Sequence, residues 1–200
     1  PQIEAGGRQA AGHGAPPGQT PDALRRADDQ VLSRDCADLT GELAARIREL
    51  NGDADAPLWC VGVDTGAVQA VNCRLRRPEV FAGAIGLSGL YDVCRFLGSA
   101  EDDLVLRNAP IAYLPEGIVD AKAFAKAEEN HLLLCAGQGS YEEDAQADTR
   151  ALAAALAAAS IPAHCEIWGN DVSHDWYWWG KELNIFAERV FGRGQEKTNA

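Results

Sequence analysis

Leu58-Trp59-Cys60-Val61-Gly62-Val63-Asp64-Thr65-Gly66 is the stretch that decides the fold. An apolar run from Leu58 to Val63 opens after Pro57, is too short for a helix, and reads as a buried strand. Gly62-x-Asp64-x-Gly66 follows at once, and from Thr65 to Leu75 the apolar residues return at helical spacing, ending before Pro78. Strand, sharp turn and helix in that order is the layout of a nucleophile elbow.

In an elbow the turn is so tight that the residues two before and two after its centre must be small, a demand that Gly62 and Gly66 meet. The central side chain then stands at the top of the sheet, and the backbone N–H of the next residue, Thr65, points at whatever that side chain attacks. Acyl transfer needs Ser or Cys at the centre, and this sequence has Asp64. A second reading stays open on these residues alone: Asp64 as a helix N-cap whose carboxylate accepts from the first turn.

Outward from the elbow, strands and helices alternate. Val31, Leu39, Leu43, Ile47 and Leu50 mark an amphipathic helix over residues 22–50, stopped by Asn51-Gly52. Ala84–Leu87, His131–Ala136 and Ile161–Trp168 read as further strands, with helices over Lys122–Glu129, Glu142–Ala159 and Trp178–Phe191. Residues 93–119, broken by Pro110 and Pro115, read as an excursion over the strand ends with one short helix. The pattern predicts an α/β fold, a parallel sheet of about four strands with helices on both faces. Residues 22–192 form this domain. Residues 1–21, rich in Gly, Pro, Ala and Gln and containing His13, read as a flexible tail, and 193–200 as a disordered C-terminal tail.

Eighteen basic against 30 acidic residues leave a net charge of -12, which argues against a nucleic-acid partner or an anionic membrane surface. No apolar stretch approaches the roughly 18 residues that span a bilayer, and no export signal is visible. The six cysteines are scattered without a C-x-x-C pair and several sit in apolar runs, so they read as reduced, buried and cytoplasmic. Cys and His do not cluster at ligand spacing, so neither a metal nor a cofactor is expected.

In a doubly wound sheet functional residues gather at the carboxyl ends of the strands, and three such ends carry Asp64, Glu142 and His174. From about Arg34 to Phe191 the sequence resembles the C-terminal two-thirds of an esterase of the esterase D group of α/β-hydrolases. The resemblance rests on Gly62-x-x-x-Gly66, Arg77-Pro78-Glu79-Val80-Phe81, Leu87-Ser88-Gly89-Leu90-Tyr91-Asp92, Gly137-Gln138-Gly139 and His174-Asp175-Trp176-x-Trp178-Trp179. It implies that His174 is the base, that Glu142 (with Glu143 and Asp144 adjacent) is the acid orienting it, that Asp64 fills the nucleophile position and that the Thr65 N–H is an oxyanion donor.

Two departures follow. A carboxylate attacking an ester gives a mixed anhydride and has no proton for a base to remove, so ordinary serine-esterase acylation is closed. α/β-Hydrolases with an Asp nucleophile attack saturated carbon instead, and usually carry Trp where this chain has Thr65. Second, family members have about four strands ahead of the helix leading into the elbow, one loop of which supplies the other oxyanion N–H. Here one helix stands there, so the resemblance implies half an oxyanion hole and an open edge on the 58–63 strand, to be covered by a second copy, by another chain that supplies the strands or by the N-terminal tail, with pairing by a second chain favoured. The sum is a degenerate esterase homologue acting as a binding or assembly subunit, or alternatively a hydrolase working through Asp64, His174 and Glu142, or one whose missing strands come from a partner chain.

Several residues carry competing readings. Ser88 is a candidate replacement nucleophile or an ordinary part of its motif. At least two of Trp176, Trp178 and Trp179 are expected to pack the last helix onto the sheet. His131 and His164 read as surface or capping residues, Glu142 to Asp144 as possible complements of a helix dipole, and an Asp64–His174 salt bridge would leave the imidazole charged and unable to act as a base.

Overall fold

The computed structural model describes residues 39–97, 105, 108–128 and 131–192. The expected tails at 1–21 and 193–200, His13, Cys36, the start of the first helix and part of the 93–119 excursion lie outside them. A π-type turn, Leu39–Leu43, runs into α1 (Ala44–Asn51), which ends at Gly52 in the left-handed conformation that glycine adopts without cost. Then follow β1 (Leu58–Val63), α2 (Thr65–Arg76), β2 (Phe81–Leu87), the short helices α3 (Cys94–Leu97) and α4 (Pro110–Tyr113), β3 (Leu132–Ala136), α5 (Glu143–Ala158), β4 (His164–Ile167) and α6 (Trp176–Phe191).

The four strands lie in the order β1-β2-β3-β4, all parallel. Side-chain alternation divides the core into two layers. Ala84, Leu132 and Leu134 face α2 and α5 and pack with Val71, Leu75, Leu152 and Leu156, all buried. Ile85, Leu87, Leu133 and Cys135 face the other way and are covered by Trp179 and Phe186 of α6. The α/β architecture read from the sequence, about four parallel strands with helices on both faces, is the one observed.

Several local expectations need correction. The segment from Lys122 forms only a single 3-10 turn, Ala121–Phe124, started by the Asp120 carboxylate accepting from the Lys122 N–H. The excursion holds two short described helices, not one. Of the tryptophans following His174, only Trp179 is buried: Trp176 is 76% exposed and Trp178 is outside the α6 cluster. A helix offers one face to a sheet, and Phe186 rather than a second tryptophan falls on that stripe. His131 is buried rather than superficial, its Nδ1 accepting from Arg74 Nε at 3.0 Å and its ring stacked on Phe124.

The β1 edge differs from the interior. Leu43 at the end of the π-type turn and Ile47 and Leu50 of α1 are exposed, as is Val61 of β1. With Trp59, Gly66 and Gln69 most of them border a groove of about 320 Å³ beside the strand. The elbow glycines are therefore not equivalent. A Cβ on Gly62 would lie 2.0 Å from the Gly66 carbonyl oxygen, so only glycine fits there, whereas a Cβ on Gly66 would meet nothing within 4 Å. The expectation that both must be small fails at Gly66, which faces this open side.

Candidate functional site at the carboxyl end of the sheet

Val63, Leu87, Cys135 and Glu166 form one row across the sheet through successive register pairs. The ladder runs on past the strand ends, the Asp64 N–H donating to the Leu87 carbonyl at 3.0 Å and the Ser88 N–H to the Cys135 carbonyl at 2.7 Å. Asp64 and Ser88 are thus held at the same height, each one residue beyond its strand.

Asp64 has φ 54 and ψ -128, a left-handed backbone that costs a non-glycine residue on the order of 1 kcal/mol and marks a forced turn. Its carboxylate makes no cap bond to α2, and Oδ1 is buried without a partner. The capping reading is thereby overturned: the turn aims the side chain away from the N–H groups of the first helical turn. Thr65, the first residue of α2, is exposed at the same end, where first-turn N–H groups lack intrahelical acceptors.

Ser88 is buried and also left-handed, at φ 46. The residues after it explain why. Tyr91 folds back so closely that a Cβ on Gly86 would sit 2.2 Å from its hydroxyl, and one on Gly89 2.2 Å from its ring. The Asp92 N–H then donates to Asp148 of α5 at 2.8 Å, closing the turn.

The two loops that carry Glu142 and His174 are built against each other. Gly137 and Gly139 let the Val172 carbonyl approach to where any Cβ would stand, and the Gly139 N–H donates to that carbonyl at 2.8 Å. The His174 N–H donates to the Ser140 carbonyl at 3.0 Å, and Asp175 caps α6 by accepting from the N–H groups of Tyr177 and Trp178. His174 Nδ1 lies 3.2 Å from Glu142 Oε1, with its N–H off the hydrogen-bond line, and its ring meets Trp179 edge-on at 4.8 Å.

Glu142 is fully buried in the residue just ahead of α5, yet it caps nothing. Its Oε2 accepts from the Gly137 N–H at 3.2 Å and its Oε1 from the Ser88 hydroxyl at 2.6 Å. Glu143 and Asp144 are exposed in the first turn of α5, so the dipole-complementing reading applies to them and not to Glu142. No Asp64–His174 ion pair forms among the described residues. The ring of His174 turns to Glu142 instead.

Two further acids line the face under α6. Glu182 is fully buried and accepts only from the Cys135 thiol, at 3.3 Å. Burial, reinforced by the nearby charges of Glu142 and Glu166, pushes its carboxyl up to about 7. Burial also pushes the Cys135 thiol up, so it stays protonated. The sequence reading missed Ser88 as a partner of Glu142 and missed Glu182 altogether. The signal for Glu182 was available: it falls on the apolar stripe of α6, between Trp179 and Phe186. Among the described residues no group of three His, Cys, Asp or Glu side chains is arranged to hold a metal ion, no helix is long and apolar enough to cross a membrane, and the thiols of Cys94, Cys135 and Cys165 are free.

No protein-family model and no curated protein matches the chain. Solved structures do. The enterobactin esterase of Shigella flexneri, determined in the presence of 2,3-di-hydroxy-N-benzoyl-glycine, superposes with a TM-score of 0.58 at 21% identity, over 83% of this chain and 41% of that one. A ferulic acid esterase gives 0.56 at 18% identity over 77% and 60%, and an S-formylglutathione hydrolase from Agrobacterium tumefaciens 0.56 at 16% over 76% and 56%. At these identities the likeness shows the fold alone, the parallel α/β arrangement that these proteins share, and the chain spans three-fifths or less of the length of each of them.

Proposed function

We propose that this chain is an esterase-fold homologue closed to ordinary serine-type acylation, acting as a binding or assembly subunit. The observation that carries the reading is Asp64 itself, set at the left-handed turn between β1 and α2 with a buried, unpartnered Oδ1. A carboxylate there can neither donate a proton to His174 nor give a stable acyl-enzyme. In this reading Glu142 and His174 are the acid and base of the inherited site, with the Thr65 N–H as its oxyanion donor.

The test is ester turnover by wild type, Asp64→Ser and the double variant Asp64→Ser/His174→Ala. A ferulate ester is a suitable probe, because one structural neighbour is named a ferulic acid esterase. Wild type is expected to stay at background, Asp64→Ser to gain activity and the double variant to lose it. Ester hydrolysis by wild type that disappears in His174→Ala defeats the reading.

A second reading is favoured by the same free Oδ1. Asp64 attacks saturated carbon, forming a C–O bond as a carbon–halogen or epoxide C–O bond breaks. Water, its proton passing to His174 while Glu142 orients the ring, then attacks the carboxyl carbon of the alkyl ester. The acyl C–O bond breaks, the alcohol leaves with the proton returned by His174, and the Asp64 carboxylate is restored. Turnover of a haloalkane or epoxide that is lost in Asp64→Asn supports it.

The assembly role draws on the edge. Among the described residues β1 is paired on one side only, and near it stand the exposed side chains Leu43, Ile47, Leu50 and Val61. In this proposal a second copy or another chain supplies a strand there, and Val61→Lys shifts light scattering toward the monomer. A cytoplasmic setting accords with the free thiols of Cys94, Cys135 and Cys165.

A further inference from the structure

Three side chains from different elements meet in the interior behind the Glu142–His174 contact. Trp179 Nε1 donates to Ser88 Oγ at 2.9 Å, and Ser88 Oγ lies 2.6 Å from Glu142 Oε1. An indole N–H can only donate, so the hydroxyl must accept from Trp179, and its single proton is left for the carboxylate. The direction of both bonds is therefore set by chemistry. Oε1 is also the oxygen that His174 Nδ1 approaches at 3.2 Å without alignment. Two donors thus face one oxygen, and the hydroxyl holds the better geometry.

We propose that Ser88 and Trp179 are positioning residues that fix the Glu142 carboxyl group and ration its Oε1 between the serine hydroxyl and the imidazole, and so set the proton affinity of His174. The proposal rests on the reading that Glu142 orients His174. Trp179 acts twice, through its N–H on Ser88 and through its ring edge-on to His174. Ser88, at φ 46, has its Oγ within hydrogen-bond distance of both the indole and the carboxylate.

The titratable groups about His174 are Glu142 ahead of α5, Cys135 on β3, Glu182 on α6, and Asp64 and Asp175 at the same end of the sheet. Of these, Glu182 titrates near neutrality, at about 7, so the measurement is made in a Glu182→Gln background. The experiment follows the His174 ring by NMR through a pH titration of the full chain, its signal assigned by its loss in His174→Ala. Ser88→Gly suits the left-handed backbone and removes the hydroxyl, leaving Oε1 to the imidazole. The titration midpoint is expected to rise by about half a pH unit or more, because the imidazolium gains an undivided acceptor. Trp179→Phe keeps the ring contact, removes the N–H, and is expected to raise the midpoint by less. Glu142→Gln is expected to lower it. A midpoint unmoved in both Ser88→Gly and Trp179→Phe but shifted in Glu142→Gln overturns the proposal while leaving the acid–base pair intact. A midpoint unmoved in all three variants overturns the pair and the proposal together.

Discussion

Glu166 and Glu182 flank the same thiol on the same face of the sheet and meet opposite fates. Glu166, the register partner of Cys135 on β4, has Arg189 Nη1 and His164 Nε2 at 2.7 Å and accepts from the Trp168 indole at 2.8 Å. Burial by itself would raise its carboxyl, but the hydrogen bonds and the guanidinium outweigh it and hold the group down at about 2. Glu182 is deeper, has a neutral thiol as its one donor and sits near a second buried acid, so its carboxyl rises to about 7. A cation within reach, rather than burial alone, decides which acid keeps its charge.

The comparison breaks most visibly at Glu182. An acid with a raised folded pKa binds its proton more tightly in the folded state, so stability falls as pH climbs from the unfolded value near 4.5 through about 7, and is level above. Glu182→Gln removes that loss. It is expected to stabilise the protein by on the order of 3 kcal/mol at pH 8 and by little at pH 4.5, read from urea denaturation at both. A variant no more stable than wild type at pH 8 would show that Glu182 has a partner for its charge.

Arg189→Leu tests the paired acid, with the sign reversed. Glu166 contributes stability above about 4.5 that is lost as pH falls toward about 2, so the substitution should cost about 2 kcal/mol at pH 7 and progressively less in acid. A cost that stays constant down to pH 2.5 would assign the effect to the packing of Arg189 over Phe186 instead. The smallest change is expected at the exposed Arg46–Glu49 pair, 57% and 69% exposed, where Arg46→Ala should alter stability by less than about 0.5 kcal/mol and only at low salt. Together the three measurements grade one interaction by depth and pairing.

Much of the frame was legible because short-range chemistry dictates it. β1 was readable to its last residue, since Pro57 and the Gly62-x-Asp64-x-Gly66 turn bound an apolar run that only a strand can bury. α5 was readable because its alanines and leucines favour helix and carry the right period. The segment from Lys122 misled because helical propensity cannot extend a turn whose one apolar anchor, Phe124, is consumed by stacking on His131. At the site, Asp64, Glu142 and His174 could be named from spacing. Their connections could not, because Ser88 lies 54 residues from Glu142 and 91 from Trp179.

From the sequence alone came the order of strands and helices, the forced turn at Asp64, and the chemical fact that a carboxylate stands where acyl transfer wants a hydroxyl. Periodicity and glycine placement act over a few residues and need no distant partner. Only the tertiary structure decided that Gly62 is crowded while Gly66 is open, that Glu142 is bound by Ser88 as well as approached by His174, and that Glu166 keeps a charge which Glu182 gives up. Those outcomes depend on which side chains arrive together from remote parts of the chain, and on how much water and counter-charge each finds there.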